Sequence, residues 1–194
     1  MIPAFNHSHV LPPFLGHGHS STTASPYDVN ATELVARFGT SPERLVLLDG
    51  LFRYRAAWRD LGFSEGFQWL DGSFVEDVEQ HMGRPPADVD VVTFAYPPNG
   101  MTPHEINAMM QQHSELFDRR KCKDRFGCDS FLVRLNVHVR RLVRETTFWH
   151  GVFSHRRGDQ LWKGLLQIPL ASDDDEAKMQ LENLNAGGAR VAAT

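Results

Sequence analysis

An α/β fold, a small mixed sheet with flanking helices, is what this sequence predicts, and three observations carry that prediction. Short runs rich in β-branched and aromatic residues, such as Val89 to Tyr96 and Cys128 to Leu135, alternate with longer segments of helical periodicity. Two of those longer segments open on strong helix starts, Ser41-Pro42 and Thr102-Pro103. The chain of 194 residues, 41% hydrophobic and 23% charged, is long enough for one domain with a substantial core.

The elements follow in chain order. Residues 1–30 are rich in Pro, His, Ser and Thr, with apolar anchors at Ile2 to Phe5 and Val10 to Leu15, and read as an extended arm lying on the domain. His7, His9, His17 and His19 sit in that arm as solvated side chains, because His-x-His pairs in a loop lack two further ligands of fixed geometry. The domain spans 31–184. A short helix runs from Asn30-Ala31 to Phe38, and a longer one from Pro42 to about Leu61, with Leu45, Leu48, Leu51 and Phe52 on its core side. A strand at Phe67 to Leu70 ends in Asp71-Gly72-Ser73. A short helix and a Pro-rich loop lead to the strand opened by Asp88 and Asp90. One helix is expected from Pro103 to about Arg120, then the strand from Cys128, a helix over Arg141 to Phe153, and an apolar strand over Lys163 to Leu170. Asp173 to Glu176 begin an acidic stretch and a short helix to Leu184; residues 185–194 read as a flexible tail.

Several function classes are excluded or disfavoured. No apolar run approaches the roughly 18 residues that cross a bilayer, and no secretory signal opens the chain, so a cytoplasmic protein with no membrane contact is expected. Cys122 and Cys128, the only cysteines, make neither a zinc ribbon nor a disulfide framework. The net charge of −4 argues against a broadly nucleic-acid-coating surface and leaves room for a local basic groove. Ser73 lacks a nucleophile elbow.

The chemistry concentrates between Trp69 and Tyr96. Side chains two apart on a strand share a face, so Asp88 and Asp90 point the same way. Paired carboxylates suit Mg2+, which is held by one or two carboxylates together with substrate phosphates. Gly72 lets backbone approach a phosphate, and Ser73 offers a hydroxyl and a cap for the helix that follows. Glu76 and Asp77 would stabilise that helix start, and Lys163 and Arg125 read as solvated cations.

This pattern resembles the signature of the nucleotidyltransferase superfamily, the polymerase-beta-like fold: an apolar strand, Gly-Ser, a gap, then Asp-x-Asp on the next strand. Gly72, Ser73, Asp88 and Asp90 match, with a 14-residue gap slightly longer than usual. The segments IPAFNHSHVLPPFLG, FGCDSFLVRL and WKGLLQI also resemble a small bacterial family within that superfamily, for which no substrate is implied. The resemblance implies a minimal nucleotidyltransferase fold and a third carboxylate on a neighbouring strand. Asp129, which opens the Cys128 strand, fits that place; its alternative is a strand-end Asp paired with an Arg. The implied activity is metal-dependent transfer of an NMP or dNMP from a nucleoside triphosphate to an acceptor hydroxyl, with release of pyrophosphate. Asp88, Asp90 and Asp129 would be the catalytic residues and hold Mg2+ (or Mn2+), while Gly72 and Ser73 would bind the nucleotide. The acceptor could be a protein, a nucleic-acid end or a small molecule. A second class is a catalytically silent member of the fold that binds an effector protein in a bacterial toxin–antitoxin or phage-defence system, with the N-terminal arm and the acidic stretch as contact surfaces. A nucleotide-sugar glycosyltransferase, which also uses Asp-x-Asp, is disfavoured by the upstream Gly-Ser.

Overall fold

The computed structural model describes residues 1–16 and 23–191. Five strands form one mixed sheet: β1 (Tyr27–Asp28), β2 (Gly66–Asp71), β3 (Val89–Ala95), β4 (Cys128–Arg134) and β5 (Leu166–Pro169), in the order β1-β5-β2-β3-β4. β2 is antiparallel to both its neighbours; β3 and β4 run parallel, as do β1 and β5. The α/β class and mixed sheet follow the sequence expectation.

Among the described residues eight α-helices surround the sheet: α1 (Ala31–Phe38), α2 (Pro42–Asp60), α3 (Val78–Met82), α4 (Pro103–Gln112), α5 (Ser114–Phe117), α6 (Arg119–Phe126), α7 (Val139–Phe153) and α8 (Asp174–Val191). The helix starts are where the cap residues put them. Asn30 caps α1 in a full capping box with Glu33, Ser41 caps α2, and Thr102 caps α4 in a second box with Glu105. One sheet face carries the larger core, where Leu70, Val91 and Ile168 meet Leu48, Leu51, Tyr54 and Trp58 of α2. The other face holds Trp69, Val92, Phe94 and Val133 with Phe153 of α7.

Three expectations need correction. The single helix from Pro103 to Arg120 is three helices, because His113 leaves helical geometry and Asp118 adopts an extended conformation to cap Lys121. The cations Lys121, Lys123 and Arg125 are therefore on α6. Half of the acidic stretch is engaged inside the fold: Asp173 accepts from Ala31 N at 2.6 Å and Thr32 Oγ1 at 2.6 Å, and Asp174 is 2% exposed, while Asp175 and Glu176 face outward. The final helix continues past Leu184 to Val191, into what the sequence reads as tail. The N-terminal arm lies against the domain, with Val10 and Leu11 fully buried and Tyr27 donating to Pro12 O at 2.7 Å. His9 lies 3.3 Å from Asp77, while His17 and His19 lie outside the described residues.

A polar network threads the larger core. Arg55 is wholly buried; it donates to Asp174 at 2.9 Å, to Gln68 Oε1 at 2.7 Å and to Pro169 O at 2.8 Å. Gln68 then donates to Thr93, which also meets the Tyr54 hydroxyl at 3.1 Å. This network ties α2 and α8 to β2 and β3, and so fixes the strands that carry the site.

Candidate active site

Register builds the site. Asp71 pairs with Asp90 across the antiparallel β2–β3 ladder, and Asp90 pairs with Asp129 across the parallel β3–β4 ladder. Directly opposed residues share a face. Three aspartates therefore stand in a row across three strands, on the face that also carries Trp69, Val92 and Phe131. Asp88 precedes β3 by one residue and lies two from Asp90. One carboxylate oxygen from each of Asp88, Asp90 and Asp129 lies within 4.8 Å of the others. The three residues expected from the sequence are thus brought together.

The surroundings of the four carboxylates differ. Asp129 is buried and takes two charge-assisted bonds from Arg119, 2.8 Å from Nε and 2.7 Å from Nη2. Both sequence expectations for it, a place in the carboxylate cluster and an Arg partner, are met at once. Asp88 is ion-paired with the Lys123 ammonium. Arg119 and Lys123 both come from α6, and each is at least half exposed. Asp90 has no such cation at hand. Burial first, then the neighbouring Asp88, pushes its carboxyl up to about 6, against a downward pull from Arg157.

Asp71 was not expected as a site residue. Its side chain is 7% exposed and Oδ1 lacks a hydrogen bond, although the Lys163 ammonium is 3.0 Å away. That ammonium is at ion-pair distance but off the hydrogen-bonding direction. It gives its short bond to Glu76 Oε1 at 2.5 Å and another to Gly72 O at 3.2 Å. Burial raises the Asp71 carboxyl to about 7, only partly offset by Lys163. Burial opposes the Lys163 charge too, but Asp71 and Glu76 together hold its ammonium above the ordinary lysine range. Lys163 is therefore a buried tie beneath the Gly72 turn, 2% exposed, and not the solvated cation expected.

The turn itself also differs from expectation. Gly72 to Val75 form a 3-10 turn, α3 starts only at Val78, and no side chain caps either. Ser73 is not a helix cap, and Glu76 is a buried partner of Lys163 rather than a residue favouring a helix start. Gly72 has φ +80°, and a Cβ there would run into Asp90 Oδ2 and sit 3.0 Å from Asp90 Cγ. Glycine at 72 is what lets the Asp90 carboxylate occupy its place. If the carboxylate cluster holds a cation as the sequence pattern implies, Gly72→Ala is expected to weaken Mn2+ binding at least tenfold in calorimetry; an unchanged affinity would show that Asp90 needs no such room.

Asp71, Gly72, Ser73, Asp88 and Asp90 form one wall of a cleft of about 260 Å³; Asp129 does not line it and reaches it through the cluster. Arg84, His155, Arg156 and Arg157 form other parts of the wall. Arg156 is held by Asp159, whereas among the described residues Arg157 makes no ion pair and Arg84 bonds only to Pro85 O and Met82 Sδ. The cleft thus sets carboxylates against cations free to meet an anion. Arg125, on α6, lines no part of it.

The pH behaviour follows from Asp90 and Asp71. An unfolded Asp ionises near 3.9, so between pH 4 and 7 the folded protein holds protons that the unfolded chain has released. Metal-free stability should therefore fall as pH rises through that window. Cation affinity should rise through the same window as both carboxyls ionise. Thermal melts at pH 5 and pH 8, in EDTA and in Mn2+, check both signs; an EDTA melting point that climbs with pH would contradict them.

Over residues 3–169 the chain matches the family described as "Family of unknown function (DUF6932)", and it belongs to that family. No curated protein and no solved structure matches it. Among the described residues no helix is long and apolar enough to cross a membrane.

Proposed function

We propose that this member of the family transfers a nucleoside monophosphate from a nucleoside triphosphate to an acceptor hydroxyl, releasing pyrophosphate. The observation that carries this reading is the meeting of Asp88, Asp90 and Asp129 within 4.8 Å, beside the Gly72–Ser73 turn and across a cleft from Arg84 and Arg157. The donor set fits a divalent cation such as Mg2+ or Mn2+: it is all carboxylate oxygen, and the buried Asp71 Oδ1 beside it lacks a hydrogen bond. Such a cation, held by Asp88, Asp90 and Asp129, would supply charge stabilisation to the phosphates and acidify the acceptor hydroxyl.

The chain's own residues supply the rest. Arg84 and Arg157 meet the negative charge of the triphosphate, and the Gly72–Ser73 turn offers its backbone and a hydroxyl at the same wall. The acceptor oxygen bonds to the α-phosphorus as the bond from that phosphorus to the β-phosphate oxygen breaks, and pyrophosphate leaves with the electron pair. The acceptor proton passes to a carboxylate. Asp90 suits that role better than Asp129, the residue the sequence pattern suggests. Both Asp129 oxygens are engaged by Arg119, whereas Asp90 has no ion-pair partner among the described residues and faces the cleft.

One observation favours a second reading, a silent member of the fold that binds a protein partner. Asp129 and Asp88 are already neutralised by Arg119 and Lys123. If those pairs are permanent, no cation is needed. Calorimetry with ATP separates the two readings. Transfer chemistry requires ATP binding in Mg2+ that weakens at least tenfold in EDTA, because bare carboxylates repel the phosphates. Equal affinity in both conditions would favour the silent reading.

A further inference from the structure

Charge is unevenly distributed along the chain. Residues 119–144 contain nine of its 20 Lys and Arg but only two of its 24 Asp and Glu, in a protein of net charge −4. That stretch comprises α6, β4 and the first part of α7, the elements on the Asp129 side of the site. α7 lies on the sheet face that bears the carboxylate row, yet it buries only Phe153 fully. Its outer surface presents Arg140, Arg144 and Phe148, the last 59% exposed.

Between α4, β4 and α7 lies an open groove of about 390 Å³, walled by Met110, Leu132, Arg134, Arg141 and Trp149. Glu145 is the one carboxylate on its wall, and Arg141 pairs with it at 2.7 Å. From Trp149 on its wall, a series of flat side chains runs toward Asp129. The Phe148 ring is 5.1 Å from Trp149, and Trp149 is 4.2 Å from Phe131. The Arg119 guanidinium lies 4.4 Å over Phe131 and bonds to Asp129. Trp149 and Phe131 are only partly buried. A cationic track interleaved with aromatic rings and a flat guanidinium suits single-stranded nucleic acid, whose bases stack while its phosphates meet the cations.

We infer that the acceptor is the 3′ end of a single-stranded nucleic acid, led along the α7 groove to Asp88, Asp90 and Asp129. This rests on the nucleotidyl-transfer reading and names its acceptor. The strand's 3′ oxygen forms the new bond to the α-phosphorus, its proton passes to a carboxylate, and the bond to pyrophosphate breaks, so the strand lengthens by one nucleotide. Exposed Val139 and Val143 on the same helix would also suit a protein surface. The charge excess and the aromatic path toward Asp129 favour the strand.

The test is fluorescence anisotropy with the full chain and 5′-labelled 12-nucleotide RNA and DNA of one mixed sequence, in EDTA and without nucleotide. Saturable micromolar binding of one or both strands is expected, weakening steeply with salt. Arg140→Glu with Arg144→Glu should weaken it at least tenfold, and Phe148→Ala about threefold or more. All three positions are exposed, so thermal melts should match the parent. Preference between RNA and DNA identifies the strand type. Three outcomes would overturn the inference: no saturable binding, binding indifferent to the charge reversals, or equal competition by poly-glutamate, which would mark an acidic protein site. Failure here is distinguishable from failure of the transfer reading. Transfer to a small molecule without strand binding removes the inference alone. A strand bound in the groove but never lengthened, with Mg2+ and all four triphosphates present, removes transfer and with it the acceptor role.

Discussion

Replacing Asp88 and Asp90 together by Ala is expected to leave a folded protein that no longer binds Mn2+ and has lost nucleotidyl transfer by about 10³-fold or more, since bound cations supply most of the charge stabilisation such chemistry needs. Neither side chain fills the core: Asp88 precedes β3 and its salt bridge is with a half-exposed Lys123, while Asp90 faces the cleft. The substitution also removes the like charges that push the Asp90 carboxyl up. At pH 8 in EDTA the variant should melt at the same temperature as the parent or higher. A melting point many degrees lower would mean that the carboxylates are structural. Mn2+ binding that survives would place the cation elsewhere.

The second large effect is on stability. Arg55→Leu removes a fully buried guanidinium that bonds to Asp174, Gln68 and the carbonyl of Pro169. It leaves Asp174 buried with Arg59 as its remaining cation. Breaking a buried pair from one side costs about 3–5 kcal/mol, because the surviving charge stays away from water. The denaturation midpoint should fall accordingly with an unchanged m value, and adding Asp174→Asn should recover part of the loss. A loss below about 1 kcal/mol would show that Asp174 reaches solvent or that Arg59 alone suffices.

The sheet and the helix starts were legible because they depend on local signals. β-Branched runs fixed β3 and β4, and Asn30, Ser41 and Thr102 fixed three helix starts. Asp88, Asp90 and Asp129 were legible because strand alternation and a parallel neighbour bring strand-opening carboxylates together. Less legible was anything set by register or by burial of a charge. Asp71 joins the row only because β2 pairs antiparallel with β3 so that Asp71 faces Asp90, which no local pattern specifies. Lys163 reads as a solvated cation and Arg55 carries no local signal, since the sequence does not show that each will be enclosed with two or more oxygen acceptors. Asp118 was missed as a cap inside a helical pattern, which concealed α6 and the two cations it brings to Asp88 and Asp129.

The most direct measurement incubates the purified protein with each labelled NTP and dNTP, in Mg2+ and in Mn2+, with total cellular RNA and protein as acceptors. Pyrophosphate and labelled product are followed together, beside the Asp88→Ala, Asp90→Ala variant. The expected result is metal-dependent pyrophosphate release matched by label in an acceptor, abolished in the variant while its melt stays intact. A folded, ATP-binding parent that releases no pyrophosphate under any of these conditions, or a variant as active as the parent, would contradict the assignment of chemistry to this site.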